Sequence, residues 1–260
     1  MQIYYINLAR RTDRRAFMEA QFARLGLEAT RIEAVTPDDL TDADRQGKRE
    51  HWISGALSDA ALCCSLSHHR ALNALLATSE PWGLILEDDA VLSTRLPAFL
   101  EAFAKAPPKA LLVRIEAAVH AHLTLRKADA SYVAVGLHRY TGWDMGAAGY
   151  LVSQEGARLV LASEIIRRTD IDVAMFYDVV ELSRRLRPLQ ASPGLCVQAH
   201  NLGDAGQSHA RSDLAGSRSP SHWWRQAARA LHRDVVQAVR KAWWRFALGG
   251  ERKKVPFSID

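Results

Sequence analysis

The sequence predicts an α/β sandwich with a mainly parallel central sheet and flanking helices, and three observations predict it. Short apolar runs suited to buried strands alternate with stretches whose apolar residues recur at helical spacing. Each run is punctuated by Gly, Pro or a polar cluster. The chain of 260 residues is 48% hydrophobic and 24% charged, the balance of a globular protein with a sizeable core.

In chain order, Gln2 to Leu8 forms a short buried strand. A helix follows from Thr12 or Asp13, either of which suits its cap, with Met18, Phe22 and Leu25 at helical spacing and Gly26 as its stop. Glu28 to Val35 is a second strand, broken by Pro37, and the polar stretch Asp38 to His51 is a loop. Ser58 opens a helix through Leu62, Leu66, Leu72 and Leu75. Trp82 to Leu86 is a strand that ends directly in Glu87-Asp88-Asp89. A helix with Leu96, Phe99, Leu100 and Phe103 runs to Pro107-Pro108, and Ala110 to Ile115 is another strand. Tyr132 to Leu137 is strand-like, Gly146 to Val152 is a small-residue turn entering a strand, and Ala157, Val160, Leu161 and Ile165 mark a helix. The stretch from Asn201 to Pro220 is a Gly- and Ser-rich loop.

The charge is concentrated at the C-terminal end. Residues 222–254 hold nine Lys and Arg against Asp234 and Glu251, more than the whole net charge of +5. The body is therefore no basic nucleic-acid surface, and no nucleic acid is expected as a partner. From Trp224 onward Leu231, Val235, Val239, Ala242 and Phe246 recur every three or four residues, with Trp223-Trp224 and Trp243-Trp244 at the ends. A basic amphipathic helix over 222–248 suits an anionic membrane surface or, equally, packing on the body. No apolar run approaches the roughly 18 residues of a spanning helix, and Ile3 to Leu8 is too short for a signal peptide. Cys63, Cys64 and Cys196 make neither a disulfide framework nor a zinc site by spacing. The expected location is cytoplasmic, on the inner face of the membrane if the tail binds it.

Glu87-Asp88-Asp89 is the most informative motif. Adjacent carboxylates repel one another unless a cation or solvent relieves them, and ligands of open α/β sheets sit beyond the carboxyl ends of strands. Hard oxygens suit Mg²⁺ or Mn²⁺, completed by substrate phosphates. The same acids are equally suited to an exposed loop that caps the next helix, near Ser93 or Thr94.

Four motifs taken together resemble glycosyltransferase family 25, the lipooligosaccharide and collagen galactosyltransferase-like enzymes. They are Ile6-Asn7-Leu8-Ala9-Arg10-Arg11-Thr12-Asp13-Arg14-Arg15, Cys64-Ser65-Leu66-Ser67-His68, Leu84 to Ala90, and Gly146 to Ser153, in the family's order. Where such families carry Glu-X-Gly-Cys, this chain has Ala61-Leu62-Cys63-Cys64. The resemblance implies a GT-A-like nucleotide-sugar fold over residues 1–215, with 216–260 as a tail. It also implies a UDP-sugar donor (often UDP-galactose), Mn²⁺ or Mg²⁺, and inversion at the anomeric carbon. Glu87-Asp88-Asp89 would take the Asp-X-Asp-like position, with Glu87 and Asp89 on the metal and Asp88 toward the donor.

Physical reading adds the remaining candidates. The forks of Arg10 and Arg14 suit diphosphate or uracil oxygens, and Asn7 matches the edge of a base. His68 bonds the donor, a site carboxylate, or its own backbone. His200 and His209 reach the metal from a loop over the donor, or are solvated. Gly146 to Gly149 lets backbone approach a sugar or makes a tight turn in the core. An inverting transferase needs a carboxylate to take the acceptor's proton. Asp172 is the candidate, with Asp170 and Asp144 behind it, while helix capping is the other use of Asp170 and Asp172. The resulting expectation is a metal-dependent inverting transfer of a hexose from a UDP-sugar to a glycan or glycolipid such as lipooligosaccharide. The alternative is a non-catalytic carbohydrate or nucleotide-sugar binding module.

Overall fold

In the computed structural model, which describes residues 1–47, 57–142, 146–206, 238, 242–245 and 247–258, the first apolar run is strand β1 (Gln2–Asn7), buried from Ile3 onward. Helix α1 (Thr12–Leu25) stops at Gly26, whose φ of 63° closes the helix in the left-handed region that glycine enters without steric cost. Its N-cap is Arg11, without a side-chain cap bond. The expected caps Thr12 and Asp13 lie inside the first turn, where Asp13 accepts two bonds from Arg11. After β2 (Thr30–Glu33), the expected loop is partly ordered as a 3₁₀ turn (Pro37–Asp39) and a short helix α2 (Asp42–Gly47). Thr36 with Asp39 and Thr41 with Asp44 bond each other in reciprocal caps at their starts.

Ser58 caps α3 (Asp59–Leu76) by accepting from the Ala61 N–H. There follow β3 (Trp82–Glu87), β4 (Ala90–Leu92), α4 (Leu96–Lys105), β5 (Leu112–Arg114) and β6 (Ala118–Leu125). The N-cap of α4 is Arg95, and β4 separates it from Glu87-Asp88-Asp89, so these acids do not cap the next helix. The single strand expected over 132–137 is a hairpin of β7 (Ala130–Tyr132) and β8 (Val135–His138). It reverses through Val133 and Ala134 at φ 47° and 63°, residues with none of the Gly or Asn that usually announces such a turn. The remaining elements are β9 (Tyr140–Thr141), β10 (Gly149–Ser153), α5 (Gln154–Leu161), α6 (Ile171–Phe176), α7 (Glu181–Leu186), β11 (Leu189–Ser192), β12 (Cys196–Gln198) and β13 (Gly250–Val255).

The central sheet has eight strands in the order β2-β1-β3-β10-β5-β11-β8-β7. The pairs β1–β2, β1–β3 and β5–β11 are parallel and the others antiparallel. Most strands therefore point one way, with β10 and β8 reversed, and the sheet is mixed. Both faces are covered, which is why the strands are near-continuous apolar runs. Ile3, Tyr5, Leu84 and Leu86 pack with Met18, Phe22, Phe99 and Phe103 on one face. Tyr4, Ile6 and Ile85 pack with Leu72, Leu75, Val160 and Phe176 on the other.

A second sheet, β13-β6-β9, revises the expected tail. Gly250 to Val255 pairs antiparallel with β6, Val255 is buried, and the backbone of Gly194 is bonded on both sides, to Pro256 and Ser258. The last residues of the 216–260 segment thus belong to the body. Of the helix expected over 222–248, residues 238, 242–245 and 247 are helical, and the rest lies outside the described residues. Deleting residues 250–260 should lower stability in urea by about 3 kcal/mol, through one buried Val and a short ladder of hydrogen bonds. A truncated chain as stable as the full one would detach this strand from the body.

Candidate active site at the carboxyl ends of the strands

Strand β3 delivers Glu87 as its last residue, and the chain turns at Asp88 and Asp89 into β4. Both turn carboxylates are buried, and a buried charge needs a partner. Arg14, in the first turn of α1, supplies it. Its Nη1 donates to Asp88 Oδ1 at 2.8 Å and lies 3.7 Å from Asp89 Oδ2. Asn7, at the end of β1, donates to Asp88 Oδ2 at 2.8 Å and to the Arg11 carbonyl at 3.1 Å, and accepts from Arg31 Nε at 3.0 Å. Asn7, Arg14 and Asp88, all expected to touch the donor, are committed to one another. Arg10 is exposed on the loop that follows β1.

Glu87 engages the opposite side. Its Oε1 lies 3.3 Å from His68 Nε2, and its Oε2 accepts from Gln198 Nε2 at 3.3 Å. His68 Nδ1 is 2.9 Å from the Tyr150 hydroxyl. Burial holds His68 down to about 4, against the opposing pull of Asp172, so the imidazole is neutral at pH 7 and its contact with Glu87 is a hydrogen bond. Of the three uses open to His68, bonding a site carboxylate is the one observed.

Asp89 keeps one buried oxygen, Oδ1, without a hydrogen-bond partner among the described residues. Its carbonyl accepts from the Ala199 N–H at 2.9 Å, which sets the exposed His200 beside the turn. The expected metal set of Glu87, Asp89 and His200 does not converge. Among the described residues, the group of three such side chains whose ligand atoms lie within 4.8 Å is Cys64, His68 and Glu87. The turn at Asp88–Asp89 interrupts the strand alternation. His68 holds Glu87 toward α3 while Arg14 holds the two aspartates toward α1. His209 lies outside the described residues.

Sequence reasoning missed Glu116. It follows β5 as the acids follow β3, and that analogy was the available signal. Its Oε2 accepts from Arg114 Nη2 at 3.2 Å and from the Ala148 N–H at 3.1 Å, while Oε1 is buried without a hydrogen-bond partner among the described residues. A Cβ on Gly146, at φ 112°, would lie 2.6 Å from that Oε1, and one on Gly149 would lie 2.3 Å from Cys196 Sγ. Both glycines serve close packing. Asp172 accepts from the Gly146 N–H at 2.9 Å through Oδ2 and from the Val173 N–H at 2.7 Å through Oδ1. Asp170 sits at the N-cap of α6 without a side-chain cap bond, and Asp144 lies outside the described residues.

Burial first, and then mutual repulsion, pushes three of these acids up to about 7. Asp88 and Asp172 raise Glu87, Glu87 raises Asp89 against the pull of Arg14, and Glu87 raises Glu116 against the pull of Arg114. A buried acidic cluster short of positive charge, with an orphaned carboxylate oxygen, fits a hard divalent cation. Asp89 and Glu87 would hold one only if Glu87 left His68 and turned toward Asp89.

The sequence profile of glycosyltransferase family 25 (LPS biosynthesis protein) matches residues 1–175. The chain belongs to this family. A putative glycosyltransferase of Haemophilus influenzae is 26% identical over 75% of this chain and 69% of its own. A Neisseria gonorrhoeae protein named lacto-N-neotetraose biosynthesis glycosyltransferase LgtB is 25% identical over 98% of this chain and 94% of its own. Among solved structures, a glycosyltransferase involved in the glycosylation of the major capsid of PBCV-1 is 11% identical over 90% of this chain and 98% of its own, with a TM-score of 0.43, too loose to carry an argument. The protein is thus an enzyme, a family 25 glycosyltransferase, and not a binding module. No helix among its described residues is long and apolar enough to cross a membrane.

In this glycosyltransferase Glu116 gives a pH test. Its carboxyl keeps a proton up to about 7 when folded but only to its ordinary 4.5 when unfolded. Between those values the folded state binds more protons, so the contribution is full at low pH and is lost as pH rises toward 7. Glu116→Gln should therefore gain stability relative to the wild type from pH 4.5 to above 7, read from urea midpoints. An unchanging difference would mean that Glu116 is ionised throughout.

Proposed function

We propose that this glycosyltransferase moves a hexose, galactose, from a UDP-sugar to a hydroxyl of a lipooligosaccharide-type glycolipid, with inversion and with the help of Mn²⁺ or Mg²⁺. The observation that carries the reading is the gathering of three acids held near 7, the buried Asp89 and Glu116 and the half-buried Glu87, at the carboxyl ends of β3 and β5. The family supports the donor class, since a glycosyltransferase of this kind uses a nucleotide sugar. The relatives named for lacto-N-neotetraose biosynthesis support a glycan acceptor. A mixed sheet with covered faces and an acidic cluster at its strand ends is consistent with a GT-A-like arrangement.

Asp89, joined by Glu87 once it leaves His68, would hold a divalent cation, which would supply neutralisation for the diphosphate that leaves. Arg10, exposed at the end of β1, reaches the diphosphate or the uracil, and His200 borders the donor from the segment after β12. Asn7, Arg14 and Asp88 act behind these groups by fixing the turn. Asp172 takes the proton of the acceptor hydroxyl as that oxygen attacks the anomeric carbon. Its two oxygens are each aimed by one backbone N–H, so the carboxylate is held in one orientation while keeping lone pairs for the acceptor. Asp170 is the alternative base on the same turn.

A panel of nucleotide sugars, scored for metal-dependent release of nucleotide, tests the donor and the cation together. Asp89→Ala should lower turnover by orders of magnitude, and activity surviving both this change and EDTA would sink the metal assignment. Asp172→Asn should cost about 100- to 10,000-fold in transfer with UDP-sugar affinity kept; wild-type transfer would move the role to Asp170 or Asp144.

The C-terminal segment brings the enzyme to an anionic membrane surface on the cytoplasmic side, where a lipid-linked acceptor lies. Exposed Trp243 and Leu248 flank the exposed Arg245, a pairing suited to headgroups. The full chain should sediment with anionic vesicles at low salt, and a chain lacking residues 222–248 should not. Binding retained without that segment would place the contact elsewhere.

A further inference from the structure

The spacing of the cysteines excluded a zinc site, but the fold brings Cys64 into a different company. Cys64 and His68 stand four residues apart on α3 and so share one helix face. Strand β3 ends against that face, and the Cys64 sulfur, a His68 ring nitrogen and a Glu87 oxygen all lie within 4.8 Å of one another. We propose that Cys64, His68 and Glu87 form a binding site for a borderline-soft divalent cation, Zn²⁺ being the one that fits.

The donor set argues for that class of ion. A thiolate, an imidazole and a carboxylate are the ligands zinc takes, and three protein ligands leave a fourth position open. Hard ions such as Mg²⁺ and Mn²⁺ gain little from sulfur and prefer all-oxygen sites. The surroundings are those of an oriented site. In the tautomer whose Nδ1–H donates a hydrogen bond to the Tyr150 hydroxyl, 2.9 Å away, His68 presents Nε2 as a lone pair on the side of Glu87. Gln198 holds the second oxygen of Glu87. Such outer hydrogen bonds fix the rotamers and basicity of metal ligands. His68 is buried and neutral, ready to ligate without losing a proton. The Cys64 thiol releases its proton to solvent as the metal–sulfur bond forms. Cys63 and Cys196 do not contribute: Cys63 packs with Leu57 and Leu62, and Cys196 lies against Gly149.

The site does not depend on the transfer reaction proposed above, except that Glu87 is common to both. Cobalt tests it on the full-length chain under reducing conditions. One equivalent of Co²⁺ should give a thiolate-to-cobalt absorption band that Zn²⁺ bleaches, and Zn²⁺ should raise the melting midpoint. The band and the shift should vanish in Cys64→Ala, whose fold is checked by circular dichroism. They should persist in Cys63→Ala, Cys196→Ala and Asp89→Asn. Histidines elsewhere give no thiolate band. A wild-type chain without the band, a band that survives Cys64→Ala, or a band lost in Asp89→Asn would each overturn the proposal.

Discussion

The guanidinium of Arg14 is the interaction on which the acidic end of the sheet depends. Two aspartates are buried in the turn after β3, and this one cation stands 2.8 Å from the first and 3.7 Å from the second. Removing one partner of a buried pair leaves an uncompensated charge and costs about 3–5 kcal/mol, whereas forming the pair gives little net stability. The bond is therefore worth more as geometry than as energy. It ties α1 to the turn, draws Asn7 into the same network, and makes the end of β1 and the end of β3 one rigid edge. Lys would not replace it easily, because Arg presents a planar fork with its donors at fixed angles.

The same shortage of positive charge shapes what surrounds the turn. Arg14 answers Asp88 closely and Asp89 distantly, and Arg114 answers Glu116, yet Glu87's hydrogen-bond partners among the described residues are a neutral histidine and an amide. Burial then favours the protonated form of each under-compensated acid. The loop from Gly146 to Gly149 is caught between two carboxylates, since its Gly146 N–H bonds Asp172 and its Ala148 N–H bonds Glu116. A side chain at Gly146 would strike the Glu116 carboxylate. Strand β10, reversed in the middle of a mostly co-directional sheet, carries this loop to the acidic edge and also brings Tyr150 to His68.

Much of the fold was legible because both faces of the sheet are covered. Runs such as Trp82 to Leu86 are apolar at every position, and Ser58 and Gly26 mark helix ends by their own chemistry. The parts that escaped are those whose cause lies far along the chain. The direction of β10 depends on neighbours it meets only in space. β13 spells Gly-Glu-Arg-Lys-Lys-Val, which has no strand-like alternation, and it is a strand because β6 offers an edge. The hairpin at Val133–Ala134 takes positive φ without a permissive residue. For the site, a run of three adjacent acids announced Glu87 to Asp89, while Glu116 stood alone among apolar residues and gave no such notice. The sequence also failed to show that Asn7 and Arg14 would spend their hydrogen bonds on Asp88, because that partner lies 74 or more residues away.

Glu87 is where these constraints meet. It is the last residue of β3, half-buried, and within reach of sulfur and nitrogen ligands on one side and next but one to the orphaned oxygen of Asp89 on the other. Hardness sorts the two sides: an all-oxygen environment retains Mg²⁺ or Mn²⁺, and a thiolate with an imidazole retains Zn²⁺. A single carboxylate serves both only in alternation, because His68 and Gln198 hold it on the α3 side and it must leave them to join Asp89. Two cations that compete for one ligand bind with negative coupling, and that coupling is reciprocal. On the two proposals together, the acid that ends β3 makes the enzyme's hard-metal chemistry answerable to the soft-metal content of its surroundings.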